Sequence, residues 1–160
     1  MLRRLVDGMV AGMAAGAAGT TALNAVAYAD MALRGRGASS TPERTVETIA
    51  ERVGLRVPGR GDTRENRLAA LGALTGIAAG VGMGAVFGGL WALGLRPPLA
   101  VGTPLVAAAA MAATDVPMAR LGVSDPRTWS AGAWLSDVVP HLAYGAVTGA
   151  TLEALDPGRA

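Results

Sequence analysis

Residues 68–95, LAALGALTGIAAGVGMGAVFGGLWALGL, run for 28 positions without a charge. A helix needs about 20 apolar residues to cross the hydrocarbon core of a bilayer, so this stretch predicts a membrane-spanning helix with enough excess length to tilt or protrude. Within it Gly72, Gly76, Gly80, Gly84 and Gly88 recur every fourth residue. Residues four apart share a helix face, so the repeat marks a strip that carries no side chains. Along such a strip a second backbone can come close, gaining dispersion contacts and weak Cα–H···O bonds. The pattern is of the glycine-zipper type.

Three more segments are long and apolar enough to be read the same way. Residues 8–29 are uncharged and carry Gly8, Gly12 and Gly16; residues 99–118 are apolar except for Asp115; residues 134–155 are apolar except for Asp137, His141 and Glu153, and include Gly145 and Gly149. A cleaved signal peptide is the rival reading of the first, since Arg3 and Arg4 precede it and Ala27-Tyr28-Ala29 is a small-x-small site. Its length and its glycine spacing favour a retained span. The expected fold is therefore all-α, a polytopic membrane protein forming one domain over 1–160: a four-helix transmembrane bundle with spans at 8–29, 68–95, 99–118 and 134–155. Pro97-Pro98 turns the chain between the second and third spans.

Composition agrees. The 160 residues have a mean hydropathy of +0.38, 51% apolar residues and only 4% aromatics. A water-soluble core of this size needs more large side chains to offset its ordering entropy, whereas helices in lipid associate by close backbone approach. All 14 basic residues are Arg, which with the Ala and Gly content points to a bacterial genome rich in G and C. There is no cysteine, so disulfides, thiolate metal sites and cysteine nucleophiles are excluded.

The one long polar segment is 34–67. Thr41-Pro42-Glu43 reads as a helix start, with Thr as N-cap and Pro at the first helical position. Val46, Ile49, Ala50 and Val53 then alternate at helical spacing with Arg44, Glu47, Glu51 and Arg52. This predicts a short amphipathic helix of about three turns lying on the membrane surface or on the bundle. A second cap-then-Pro signal, Ser124-Asp125-Pro126, precedes the fourth span, with Trp129 and Trp134 at interfacial positions; that span is expected to start as a surface helix and bend inward near Gly132. With four spans, ten Arg (34, 36, 44, 52, 56, 60, 64, 67, 120, 127) share one face, and Arg3, Arg4, Arg96 and Arg159 lie on the other. The positive-inside rule places the 34–67 loop in the cytoplasm of a cell whose inner (plasma) membrane holds the protein. The Arg are accounted for by this orientation, and no nucleic-acid partner is inferred from the charge.

Ionisable residues inside spans are costly and face the bundle interior. The candidate polar cluster is Asn24, Tyr28 and Asp30 in the first span and its end, Asp115 in the third, and Asp137, His141 and Tyr144 in the fourth. Asp137 and His141, four apart, share a helix face and can form a carboxylate–imidazole pair able to relay protons. The competing expectation is structural: Asp115 and Asp137 neutralised by Arg67, Arg120 or Arg127 at the interface, with His141 and Asn24 bonding across helices. A single His is thin support for a metal site, no cofactor motif is present, and there is no phosphate loop, nucleophile elbow or HExxH.

The opening at 8–29 and the segment Asp137-Val138-Val139-Pro140-His141-Leu142-Ala143-Tyr144-Gly145 resemble small uncharacterised bacterial multi-pass membrane proteins of actinobacterial type, which carry an acidic–x–x–Gly/Pro–His segment in the last span. The resemblance implies the membrane architecture and points to Asp137 and His141; it implies no activity. The leading functional expectation is a non-enzymatic bundle, embedded in the lipid bilayer, that acts by self-assembly as a homo-oligomer or with a membrane-protein partner. A small proton-coupled transporter using the Asp/His cluster comes second, and a membrane-embedded enzyme or metal protein third.

Overall fold

The computed structural model describes residues 1–156, which are almost wholly helical. They form α1 (Leu2–Arg34), α2 (Thr41–Arg52), α3 (Asp62–Ala92), α4 (Leu99–Leu121) and α5 (Ala131–Ala154), with no strand among the described residues. Arg159, counted above on one face, lies outside them. The helices stop where the sequence removes support. Gly35 ends α1 and Gly122 ends α4, both in the left-handed region (φ +61° and +75°) that a side chain disfavours.

Two local expectations are corrected. The cap of α2 is Ser40, one residue earlier than Thr41, so Pro42 falls in the second helical position; no side chain caps the helix, and the Thr41 amide instead donates to Ser39 Oγ. The helix at the expected fourth span, α5, does not begin as a bent surface helix. Asp125 caps a single 3-10 turn, Pro126–Thr128, the chain extends at Trp129, and α5 restarts under a Ser130 cap on the Ala133 amide. Trp129 and Trp134 meet edge to face across that break, 5.2 Å between centroids.

Three helices, α1, α3 and α4, are long and apolar enough to cross a membrane, where four spans were expected. At 24 residues α5 is long enough, but it is not among them. The residues responsible are Asp137, Pro140, His141, Tyr144 and Glu153, which lower its hydropathy.

The packing order is α3–α1–α5–α4, with α1 shared between α3 and α5 and only slight contact between α3 and α4. Neighbours run antiparallel. A Cβ added at Gly16 would lie 2.6 Å from the Gly80 carbonyl oxygen and 2.9 Å from Gly84 Cα; one at Gly12 would strike Gly84 O and Gly88 Cα; one at Gly8 would strike Gly88 O. On the other flank of α1, Gly19 faces Tyr144 and Thr148 of α5, and Gly145 of α5 sits on the Thr103 carbonyl of α4. A small core of Val106, Ala110 and Tyr144, with Leu23, Met83 and Phe87 against it, joins all four long helices.

The lower part of the α3 ladder leaves this seam. Gly76 has nothing within 4 Å of an added Cβ, and Gly72 faces Pro42 of α2. The cause is geometric. Each four-residue step overshoots one helical turn by about 40°, so Gly72 is rotated by about 160° from Gly88. Below Gly80 the strip no longer points at α1, and residues 73–79 of α3 are all exposed. There α3 keeps one neighbour, α2, which also touches the end of α4, where Arg52 donates to the Leu121 carbonyl.

Candidate functional site

The polar residues of α5 lie on one stripe. Asp137, His141, Tyr144, Thr148 and Leu152 are spaced four, three, four and four apart, so they share a face. Its upper members fix where that face points. Tyr144 is 1% exposed and its hydroxyl donates to the Gly80 carbonyl of α3 at 2.7 Å. Thr148 is fully buried against Gly19 of α1. The stripe therefore faces the bundle interior, and Asp137 and His141 face the same way one and two turns nearer the Arg-rich end.

At that level the interior is open. The seven consecutive exposed residues 73–79 cover nearly two turns of α3, so its inward side is uncovered as well as its outward one. Below the Tyr144–Gly80 bond α3 therefore stands apart from the other long helices, leaving a wedge-shaped gap. Asp137 and His141 keep side-chain exposures of 22% and 12% there.

Antiparallel packing of α4 on α5 brings a third group to the wedge. Asp115 is 8% exposed, and Asp137 and His141 are the charged groups near it. His141 Nδ1 is 2.8 Å from the Asp137 carbonyl oxygen and 3.3 Å from Asp137 Oδ1. Asp137 Oδ2 is buried and unpartnered among the described residues. So is Oε2 of Glu43, in the first turn of α2 beside Gly72.

The expected neutralisation by arginine is absent from this group. Arg127 is held by Asp125, Arg67 donates to the Pro58 carbonyl, and Arg120 has no side-chain partner among the described residues. Arginine pairing is found instead at Asp30, which accepts from Arg36 Nε at 2.5 Å, from Arg34 at 3.3 Å and from Ser136 Oγ at 3.2 Å. Arg34 also donates to Ser136, so this network pins the end of α1 to the start of α5. Asp30 thus belongs to an interhelical clamp, separate from the Asp115–Asp137–His141 group. Tyr28 is 64% exposed on the outside, and Asn24 is half-buried with no side-chain hydrogen bond among the described residues. Neither joins the group. No three His, Asp or Glu side chains among the described residues are placed to hold a metal ion.

Sequence reading missed two features. Ser136 as the bridge to Asp30 depends on a contact between residues 106 apart. The clamp at the opposite end also escaped it: Asp156 accepts from Trp91 Nε1 at 3.1 Å and from Arg96 at 2.6 Å, while Arg96 stacks 5.8 Å from the Trp91 ring centroid. No protein-family model, curated protein or solved structure matches the chain.

Proposed function

We propose that the chain crosses the bilayer four times, with α5 as the fourth span, and that its Asp115–Asp137–His141 group is a proton-binding site in a proton-coupled pathway. At 24 residues α5 extends about 36 Å, against a hydrocarbon core of about 30 Å. Its polar residues turn inward, away from lipid, which lowers the cost of placing them in the membrane.

The observation that carries the reading is the meeting of a buried carboxylate, Asp115, a half-buried one, Asp137, and an imidazole with no arginine against them. Two carboxylates close together in a poorly solvated interior repel each other when both are ionised, and a proton bound between them relieves that repulsion. The imidazole beside Asp137 offers a second place for it. The titratable groups of the site are Asp115 from α4 and Asp137, His141 and Tyr144 from α5; α1 offers Asp30, already engaged by its two arginines.

The test is proton uptake after a pH jump, read with a trapped pH dye in vesicles holding the purified protein. Uptake should fall at least tenfold in Asp137→Asn and in His141→Ala, with helix content and oligomeric state unchanged. Equal uptake in both variants and the parent protein overturns the reading.

Self-assembly, the leading expectation from sequence, has one observation in its favour: a Cβ added at Gly76 or Gly82 of α3 would meet nothing within 4 Å, leaving small-residue positions open on the helix surface. Against it, Gly80, Gly84 and Gly88 are already occupied by α1 within the chain.

A further inference from the structure

We propose that the cavity between α2 and the start of α3 holds the headgroup of a zwitterionic phospholipid with a primary ammonium, of the phosphatidylethanolamine class. The inference rests on α3 crossing the bilayer and is independent of the proton-site reading.

The cavity is built by the loop that joins the two helices. It measures about 330 Å³, within the roughly 300–1,000 Å³ typical of small-molecule sites. Glu47 and Glu51 of α2, Arg56 of the loop and Arg64 of α3 line it, with Leu55 and Val57 as its apolar part. Backbone contacts hold the loop in place. The Leu55 amide donates to the Ala50 carbonyl at 2.8 Å, and Arg67 Nη1 donates to the Pro58 carbonyl at 2.8 Å. Gly59, at the cavity wall, turns the chain at φ +104°, where a side chain would be strained.

Charge selects the ligand. Glu47 and Arg64 neutralise each other at 2.5 Å. Glu51 and Arg56 border the same cavity, are both exposed, and form no ion pair among the described residues. One unpaired charge of each sign is thus left for a ligand that carries both. Arg60, beside Gly59, is exposed and likewise unpaired among the described residues. A phosphate suits Arg56 and Arg60, and an ammonium suits Glu51. A polyanion is opposed by the glutamate, and a lone cation by the arginines.

Depth and surface character select a lipid over a soluble zwitterion. The uncharged run of α3 begins at Leu68. Arg64 precedes it by about one helical turn, or about 6 Å. Headgroups add about 5–8 Å to each side of the hydrocarbon core, so the α3 wall of the cavity lies at headgroup level. Beside the charges, Leu55 is 65% exposed, with Val53 and Ile49 also exposed. Such an apolar fringe next to arginines suits the glycerol and first methylenes of a phospholipid.

The full chain in micelles is offered equal amounts of phosphatidylethanolamine, phosphatidylcholine and phosphatidylglycerol with identical acyl chains, and native mass spectrometry counts the lipid retained. One phosphatidylethanolamine should be kept at least fivefold over phosphatidylcholine, whose quaternary ammonium has no N–H to donate to Glu51. Glu51→Ala should bring that preference within twofold. Arg56→Gln should lower phosphatidylethanolamine retention at least fivefold. Both side chains are exposed, so helix content should not change, and pH-jump proton uptake should stay at the parent level in both variants. No preference for phosphatidylethanolamine in the parent chain, or one that survives both substitutions, overturns the proposal. So does phosphatidylglycerol retained ahead of phosphatidylethanolamine, which means that the surface reads negative charge alone. Full displacement of the lipid by soluble phosphoethanolamine overturns the lipid assignment.

Discussion

Replacing Gly84 with Ala adds a single methyl group, and the seam has no room for it. The new carbon would strike the Gly12 carbonyl oxygen and lie 2.5 Å from Gly16 Cα and 2.7 Å from Gly16 N, all backbone atoms that cannot swing aside. Ordinary carbon contacts begin at about 3.5 Å, so α1 and α3 must part by about 1 Å. A gap of that size forfeits about a quarter to a half of each dispersion contact it touches. The Gly8–Gly88 and Gly16–Gly80 levels lie only about 6 Å away along the axis, so they loosen too. Overpacking of this kind costs about 1–3 kcal/mol. The opposing term is helix propensity, where Ala is better than Gly by about 1 kcal/mol in water; it is smaller here, because the detergent-unfolded chain keeps much of its helix. The net expectation is a loss of roughly 1–2 kcal/mol for Gly84→Ala. Gly76→Ala meets nothing within 4 Å and should leave stability unchanged or raise it by up to about 1 kcal/mol. Titration with sodium dodecyl sulfate in mixed micelles, followed by far-UV circular dichroism and tryptophan fluorescence, measures both. Equal shifts of the two midpoints would show that propensity alone is being read, and the seam argument would be refuted.

In the same assay Tyr144→Phe should cost about 0.5–1.5 kcal/mol, the net worth of one hydrogen bond, since it deletes only the 2.7 Å bond to Gly80; no change would mean that this bond does not hold the apex. Asp30→Asn should shift the midpoint less than Tyr144→Phe does because its arginine partners are partly exposed, and a larger shift would contradict the surface character of the clamp. The link between α4 and α5 should be acid-sensitive. Hydrogen bonds from the Arg127 side chain, and then from its amide, hold the Asp125 carboxyl below its ordinary range. A lowered carboxylate pKa stabilises the fold above the unfolded value, about 3.9, and that contribution is lost as pH falls through the folded one. Near-UV circular dichroism of the Trp129–Trp134 pair should therefore weaken below about pH 4 and be flat with pH in Asp125→Asn.

The helices themselves were legible in the chain: the uncharged runs and the Pro42 start signal, right to within one residue, act locally. The Asp137–His141 pair was legible too, because four-residue spacing sets it before any tertiary contact forms. Asp115 could be listed but not placed, since its meeting with Asp137 depends on the register between α4 and α5. The arginine pairing expected there failed for a similar reason. Asp125, two residues from Arg127, captures it more cheaply than a carboxylate reached across the bundle. The α3 ladder misled by its regularity: a strict repeat of four looks like one straight face, but on a helix of 3.6 residues per turn it winds round the axis. Two of its five glycines consequently leave the seam.

The polarity of α5 also bears on how the protein is made. On the four-span reading, α1, α3 and α4 are apolar enough to partition into lipid singly as each leaves the ribosome. The segment that follows carries an aspartate and a histidine near mid-membrane, and such residues oppose insertion of an isolated helix. By then α1 has one flank vacant and α4 awaits a partner, so the two together form a berth in which those side chains turn away from acyl chains. The last helix synthesised is thus the one whose entry depends on its predecessors, and a defect in α1 facing Gly19 should appear first as failed membrane integration of the C-terminal segment.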